Sequence, residues 1–322
     1  MREYQIGKNE AGQRLDKYLH KLLPQAPNSF LYKMLRKKNI LWNGKKATGS
    51  EHISYGDCIT CWLSDETIAK FRTSVNLPPV TRSRQEKLDI LYEDEDILAI
   101  NKPAGMLAQK SKPSDLSANE LIIQYLLESG AVTQTDLLTF HPSICNRIDR
   151  NTSGILTAGK TLQGLQDLSE QFRERTAKKY YLCIAIGEIR KSQHLSGYLK
   201  KDTIKNQVYL RAALSKQPDS QFYIETDYEP ISTYKGFTLL QVHLITGRTH
   251  QIRAHLASVG HAIAGDYKYG EAKVNTYMKK NMYIARQMLH ASRLVLKNGK
   301  EITAPLPEDF NRMLKFLEAN DS

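Results

Sequence analysis

Leu15, Tyr18, Leu19, Leu22 and Leu23 recur at the three- and four-residue intervals that line one face of a helix. A second amphipathic helix is expected to start near Asn28 or Ser29, carrying Phe30, Leu31, Met34 and Leu35 and ending in Arg36-Lys37-Lys38. The period then shortens. Ile40-Leu41-Trp42 reads as a strand, Asn43-Gly44 as a two-residue hairpin turn, and Lys45-Lys46 as the returning strand. After a turn around Gly56-Asp57, Ile59 to Leu63 reads as one more strand. Residues 1–64 are thus expected to form a compact α+β module.

Residues 65–86, with Thr, Ser, Asn and Pro78-Pro79 among scattered charges, show no sustained period and read as a linker. A second domain, residues 87–322, begins near Leu88. Its first strands carry Ile97 to Ile100 and run into Asn101-Lys102-Pro103-Ala104-Gly105, where Pro and Gly impose a turn. A helix is predicted over 118–128, a strand over Ile155 to Ala158, and a helix whose Leu162, Leu165, Leu168 and Phe172 share a face. Short strands follow at Tyr180 to Ile186, Phe222 to Asp227, Ile231 to Tyr234 and Phe237 to Leu244. A helix is expected from Thr249 to Val259, capped by Thr249 and ended by Gly260. Without a βαβ rhythm a Rossmann fold is disfavoured. The expected class is α+β, a mixed and mainly antiparallel sheet flanked by helices.

Charge narrows the partners. The net charge is +12, and residues 1–64 hold eleven Lys/Arg against five Asp/Glu, which favours nucleic acid. No run of eighteen apolar residues exists and the start lacks the apolar core of a secretion signal, so a cytoplasmic protein with no membrane partner is expected. Four cysteines do not make a disulfide framework. Cys58 and Cys61 form a CxxC on a predicted strand, where positions three apart face opposite ways and cannot share a metal. Neither His250, His255 and His261 nor any Gly-rich phosphate motif gives a recognisable site, so no metal and no nucleotide cofactor is expected.

Asp149 sits in an unusual place for a carboxylate. In Asn146-Arg147-Ile148-Asp149-Arg150-Asn151-Thr152-Ser153-Gly154 it lies between two arginines, cations that would keep it ionised at neutral pH. A solvated ion-pair turn looks the same in isolation. The cluster from Thr246 to His255, with Arg248, His250, Gln251, Arg253 and His255, adds enough donors to suggest a carboxylate beside a bound polyanion.

Three ordered motifs resemble the RluA family of pseudouridine synthases. Asn146 to Gly154 is similar to the family's HRLDxxTSG, Lys179-Tyr180-Tyr181 before Gly187 to its second motif, and Leu244 to His255, extended through Gly265-Asp266 and Tyr269-Gly270, to its third. Asn101 to Gly105 and Leu289-His290-Ala291 also match, so this likeness covers about residues 88–310. Residues 13–62 resemble the S4 RNA-binding domain, and the pairing looks most like the family's C type, acting on large-subunit ribosomal RNA.

The resemblance implies isomerisation of uridine to pseudouridine in RNA, expected to be large-subunit rRNA, without a cofactor; a monomer is expected. It implies Asp149 as the catalytic aspartate, Arg253 as its basic partner, Tyr181 against the target base, Arg147 in the vacated stack and Arg248 on phosphate. Arg36, Lys37, Lys38, Lys45 and Lys46 are the expected RNA contacts of the first module. Tyr180 and Tyr181 point to opposite faces of a strand, so only one can serve. Ile148 stands where the family has Leu and preserves apolar packing; Asn146 stands where it has His and cannot carry a proton, which weakens transfer of a particular target site. A tRNA substrate, a catalytically silent RNA-binding protein and a glycoside hydrolase are the other readings; the last generally needs a second carboxyl group, which these motifs lack.

Overall fold

In the computed structural model, which describes residues 1–72, 88–112, 114–134, 136–202, 207–211 and 221–321, the two N-terminal helices lie on a small sheet. The chain runs β1 (Arg2–Gln5), α1 (Leu15–Leu22), α2 (Asn28–Arg36), β2 (Ile40–Trp42), β3 (Lys45–Lys46), β4 (Cys58–Cys61) and α3 (Asp65–Phe71), with strand order β1-β4-β2-β3. Leu15, Tyr18, Leu19 and Leu22 of α1 and Leu31, Met34 and Leu35 of α2 are buried, as their spacing requires. Asn43 and Gly44 both take positive φ, +49° and +71°, which gives the hairpin the twist of its strands. This module has its own core.

The expected linker is corrected over its first part, because residues 65–71 form α3. Ser64 accepts a hydrogen bond from Thr67 N–H at 3.2 Å as its cap, Ile68 is buried, and Phe71 packs on Phe30 with ring centroids 4.7 Å apart. Two turns are too short for a visible period; the cap followed by Asp65 and Glu66 was the available signal. The remainder, residues 73–86, lies outside the described residues. All four cysteines are free.

The second unit continues with β5 (Ile90–Glu93), β6 (Ile97–Lys102), α4 (Ala118–Glu128), β7 (Ser143–Ile144), β8 (Ser153–Gly159), α5 (Leu162–Arg173), β9 (Lys178–Ile186), β10 (Gln193–Asp202) and β11 (Gln207–Arg211). Then come β12 (Gln221–Tyr234), β13 (Phe237–Leu244), α6 (Gln251–Ser258), α7 (Ala272–Met282), β14 (Leu289–Val295), β15 (Glu301–Thr303) and α8 (Glu308–Ala319). One sheet of eleven strands runs β11-β10-β12-β13-β9-β14-β8-β6-β5, with β15 added to β14 and β7 to β8. The pairings are antiparallel except β14 with β8. All seven residues of β8 are buried, so the strand after Asp149 is a central one.

Two further expectations are corrected. The separate strands at 222–227 and 231–234 are one strand, β12, whose register shifts between Pro230 and Ser232; proline cannot donate to a ladder and is accommodated at such a bulge. Helix α6 starts at Gln251, and its cap is His250 at φ +55° with no side-chain cap bond, rather than Thr249.

The modules touch through the turn after β1. Asn9 Oδ1 accepts from Leu162 N–H at 3.0 Å, at the start of α5, and Glu10 Oε1 accepts from Thr139 Oγ1 at 2.6 Å. Among the described residues no helix is long and apolar enough to cross a membrane.

Two buried histidines make the fold sensitive to acid. His290 Nε2 donates to Ala304 O at 3.2 Å, which leaves Nδ1 to accept from Ser153 at 2.9 Å; His255 Nδ1 lies 2.9 Å from Thr226 Oγ1. Burial pushes both down to about 4. Because the folded values lie below the unfolded one of about 6.5, their stability is complete above that pH and lost as pH falls toward 4, by up to about 3 kcal/mol each. The melting temperature should fall steadily from pH 6.5 to 4.5; a flat profile across that range would contradict the assignment.

Candidate active site

Asp149 sits in a turn between β7 and β8 that is tied down on every side. Thr152 N–H donates to Asp149 O at 3.0 Å, closing the turn. Asn146, which departs from the histidine of the motif it resembles, accepts from Thr157 N–H at 2.8 Å and Thr157 Oγ1 at 2.9 Å and donates to Ile155 O at 3.3 Å. Its side chain locks the turn to β8. Gly154 has φ +108°, and a Cβ there would lie 2.2 Å from Ala291 O. Only glycine permits the parallel pairing with Ala291 that seats β8 beside β14.

Two buried cations hold the backbone of the same turn. Lys102 is fully buried, and its Nζ donates to Pro103 O at 2.8 Å, Met106 O at 2.9 Å and Arg150 O at 3.1 Å. Burial, with Arg286 adding and Asp149 opposing, pushes this amine down to about 7. Three carbonyl acceptors engage all three protons, so the ammonium is the form the geometry fits. Arg286 donates to Asn151 O at 3.2 Å and forms a bidentate pair with Asp309 of α8 at 2.5 and 2.7 Å. Sequence reasoning assigned neither residue a role. The signal available for Lys102 was a lysine ending the apolar run Ile97 to Ile100.

The carboxylate of Asp149 meets a cation from far along the chain. Arg253 Nη1 lies 2.8 Å from Asp149 Oδ2, while Nε and Nη2 hold Asp266 at 2.7 and 2.8 Å. Burial opposes the charge of Arg253, but the hydrogen bonds and charges of Asp266 and then Asp149 prevail and push its guanidinium up. Asp266 is fully buried and also accepts from Lys268 N–H at 2.9 Å and Tyr269 N–H at 3.2 Å. The flanking arginines do not supply Asp149's ion pair, which corrects the expectation drawn from the run. Arg150 turns away to donate to Gly105 O at 2.9 Å, and Arg147 is exposed at the pocket mouth. In so tight a turn, successive long side chains diverge.

A pocket gathers Arg147, Asp149, Tyr181, Arg248, His250 and Arg253. Tyr181 is buried on β9, paired with Val242 and Ala291, and burial and then Asp149 raise its phenol. Tyr180 faces the other side, stacked on His243 at 4.9 Å with Arg293 over its ring at 4.0 Å. Arg248 is exposed and lies over Phe222 at 4.4 Å. Arg36, Lys37, Lys38, Lys45 and Lys46 are all exposed on the N-terminal module and do not line this pocket. A carboxylate fixed by a guanidinium thus shares one pocket with a buried tyrosine and exposed arginines, a lining whose cations suit an anionic partner. Among the described residues no cluster of His, Cys, Asp and Glu could hold a metal ion.

The sequence profile of the family described as RNA pseudouridylate synthase matches residues 96–258, just over half of the chain. The protein named Ribosomal large subunit pseudouridine synthase C in Vibrio vulnificus is 29% identical over 324 residues, covering 98% of this chain and 96% of that protein. Its namesake in Rickettsia bellii is 32% identical, covering 93% and 96%. Ribosomal large subunit pseudouridine synthase D of Nitrosomonas europaea is 28% identical, covering 98% and 87%. The solved structure of Human RNA Pseudouridylate Synthase Domain Containing 4 superposes with TM-score 0.60 at 21% identity, covering 71% of this chain and 93% of that one, a likeness of fold. The profile spans both Asp149 and Arg253, and the relatives extend the likeness across nearly the whole length: the chain belongs to the family of RNA pseudouridylate synthases, isomerases that act on RNA.

Proposed function

We propose that the protein isomerises uridines of large-subunit ribosomal RNA, as a cytoplasmic monomer, with Asp149 as the reacting carboxylate. The observation that carries the catalytic assignment is the Asp149 carboxylate held at 2.8 Å by a guanidinium that Asp266 grips from behind. The names of the relatives and the basic N-terminal module favour the ribosomal substrate over tRNA.

Two routes use the same carboxylate. As a nucleophile, Asp149 bonds the ribose C1′ while the N1–C1′ electron pair leaves with uracil; C5 of the rotated base then attacks C1′ and expels the carboxylate. As a base, it takes the proton on C2′ while the C1′–C2′ double bond forms and the N1–C1′ electron pair leaves with uracil, and it returns that proton to C2′ when C5 of the rotated base bonds C1′. In both, C5 loses its proton and N1 gains one, so no redox partner or energy source is consumed.

The target base must leave its stack. Arg147 and Arg248 are exposed and line the pocket through which a nucleoside would enter. In this reading Arg147 then fills the vacated stack, its plane matching a base. Tyr181 packs against the uracil, Arg248 holds a phosphate, and Arg36, Lys37, Lys38, Lys45 and Lys46 grip the backbone further along.

Asp149→Asn is expected to fold and to bind RNA with unchanged affinity yet release no tritium from uridine labelled at C5. Wild-type enzyme should release it from large-subunit rRNA and not from tRNA; measurable turnover by the variant refutes the catalytic assignment, and preferential release from tRNA refutes the substrate. Replacing Lys37, Lys38, Lys45 and Lys46 together by glutamine should weaken RNA binding and flatten the plot of log affinity against log salt by about 0.7 for each phosphate that is no longer neutralised. An unaltered slope would show that the module's lysines do not touch the backbone.

A further inference from the structure

His250 is the pocket residue with the least ordinary backbone. Its φ of +55° is left-handed, a conformation that side chains with a Cβ rarely adopt and that persists where the surroundings enforce it. The residue caps α6, accepting Ala254 N–H at 2.9 Å, and its ring is aimed between Tyr269 and Asp149. Nδ1 lies 3.0 Å from Tyr269 Oη, and Nε2 lies 3.9 Å from Asp149 Oδ2.

The hydrogen bonds set which ring nitrogen carries the proton. Tyr269 Oη accepts Val208 N–H at 2.9 Å, and for its own proton His250 Nδ1 is the acceptor within reach among the described residues. Nδ1 therefore accepts, and the neutral ring holds its proton on Nε2, facing the carboxylate. The charged groups around it are Asp149, Arg253, Lys268 and Asp266. Burial, helped by Arg253 and Lys268 and opposed by the two aspartates, lowers its pKa, so the ring is neutral at pH 7.

Both this N–H and Arg253 address the same oxygen. Arg253 Nη1 is 2.8 Å from Oδ2, and among the described residues no hydrogen bond reaches Oδ1. We propose that His250, in the tautomer set by Tyr269, is a positioning residue that joins Arg253 on Oδ2 of Asp149 and leaves Oδ1 as the oxygen that reacts with the ribose. The proposal rests on Asp149 being the reacting carboxylate. At 3.9 Å the hydrogen bond is unmade in the free enzyme, and contacts of this kind close when substrate fills a site. With two donors on Oδ2 the carboxylate cannot spin, and the lone pairs of Oδ1 stay aimed into the pocket.

Long-range 1H–15N spectra of enzyme labelled in histidine test the tautomer directly. His250 should be protonated on Nε2 at pH 7, and Tyr269→Phe should shift protons to Nδ1. In single-turnover assays His250→Phe should be slower on the order of a hundredfold, with RNA affinity within about twofold of wild type, and His250→Gln, which keeps an N–H donor, should recover part of the rate. Protonation on Nδ1 in the wild type, a His250→Phe rate within twofold of wild type, or equal losses in the Phe and Gln variants overturns the proposal. Should His250→Phe fail to fold, the wild-type tautomer and the Tyr269→Phe rate, expected to fall as well, decide. Asp149→Asn run in parallel separates the two readings: if it turns over, the carboxylate assignment fails; if it is inert while His250→Phe is fast, only the present proposal fails.

Discussion

A single buried guanidinium organises the molecule. Arg253 cannot shed its charge, and in a largely water-free position it must be matched or the fold loses several kcal/mol. Two carboxylates match it, Asp266 with two hydrogen bonds and Asp149 with one. The asymmetry matters. Asp266 is fully buried and spends itself on structure, whereas Asp149 remains partly exposed to the pocket. Arg253 thus transmits the rigidity of a structural carboxylate to one that faces the pocket.

Fixing the far side of Asp149 falls to the sheet. Lys102 from β6, Arg286 before β14 and Asn146 before the turn seize backbone carbonyls or strand amides around it, and Gly154 lets β8 and β14 run in parallel at a separation no side chain would allow. The Asp149 turn is therefore over-determined, as the proposed reaction would require, since displacements of an ångström at a reacting group are costly. Burial of a lysine in this arrangement makes sense only as a backbone clamp, since its three protons are all used on carbonyls.

The N-terminal module contributes charge and a fixed point. Asn9 binds the first amide of α5 and Glu10 receives a buried hydrogen bond from Thr139, so the two units meet through side chains of one short turn. Basic residues at the end of α2 and on β3 remain exposed.

Periodicity and turn chemistry alone determined most of the elements. The spacing of α1, α2 and α5, the Asn43-Gly44 hairpin and the motif segments around Asp149, Tyr181 and Arg253 could be read directly, because those signals are local: a helical face, a left-handed turn, an alternating strand. What the sequence could not reveal lies in pairings between distant residues. Flanking arginines looked like the partners of Asp149, yet a tight turn sends them apart; the cation that does pair with it, 104 positions away, was expected from the family resemblance alone and from nothing local in the run. β12 was broken in two by a proline that the folded sheet accommodates as a bulge, and α3 was too short to display a period. Asp266, Lys102, Arg286 and the Tyr269–His250 pair acquire their roles only in three dimensions, because burial and hydrogen-bond partners are properties of the packed chain and leave no period in its sequence.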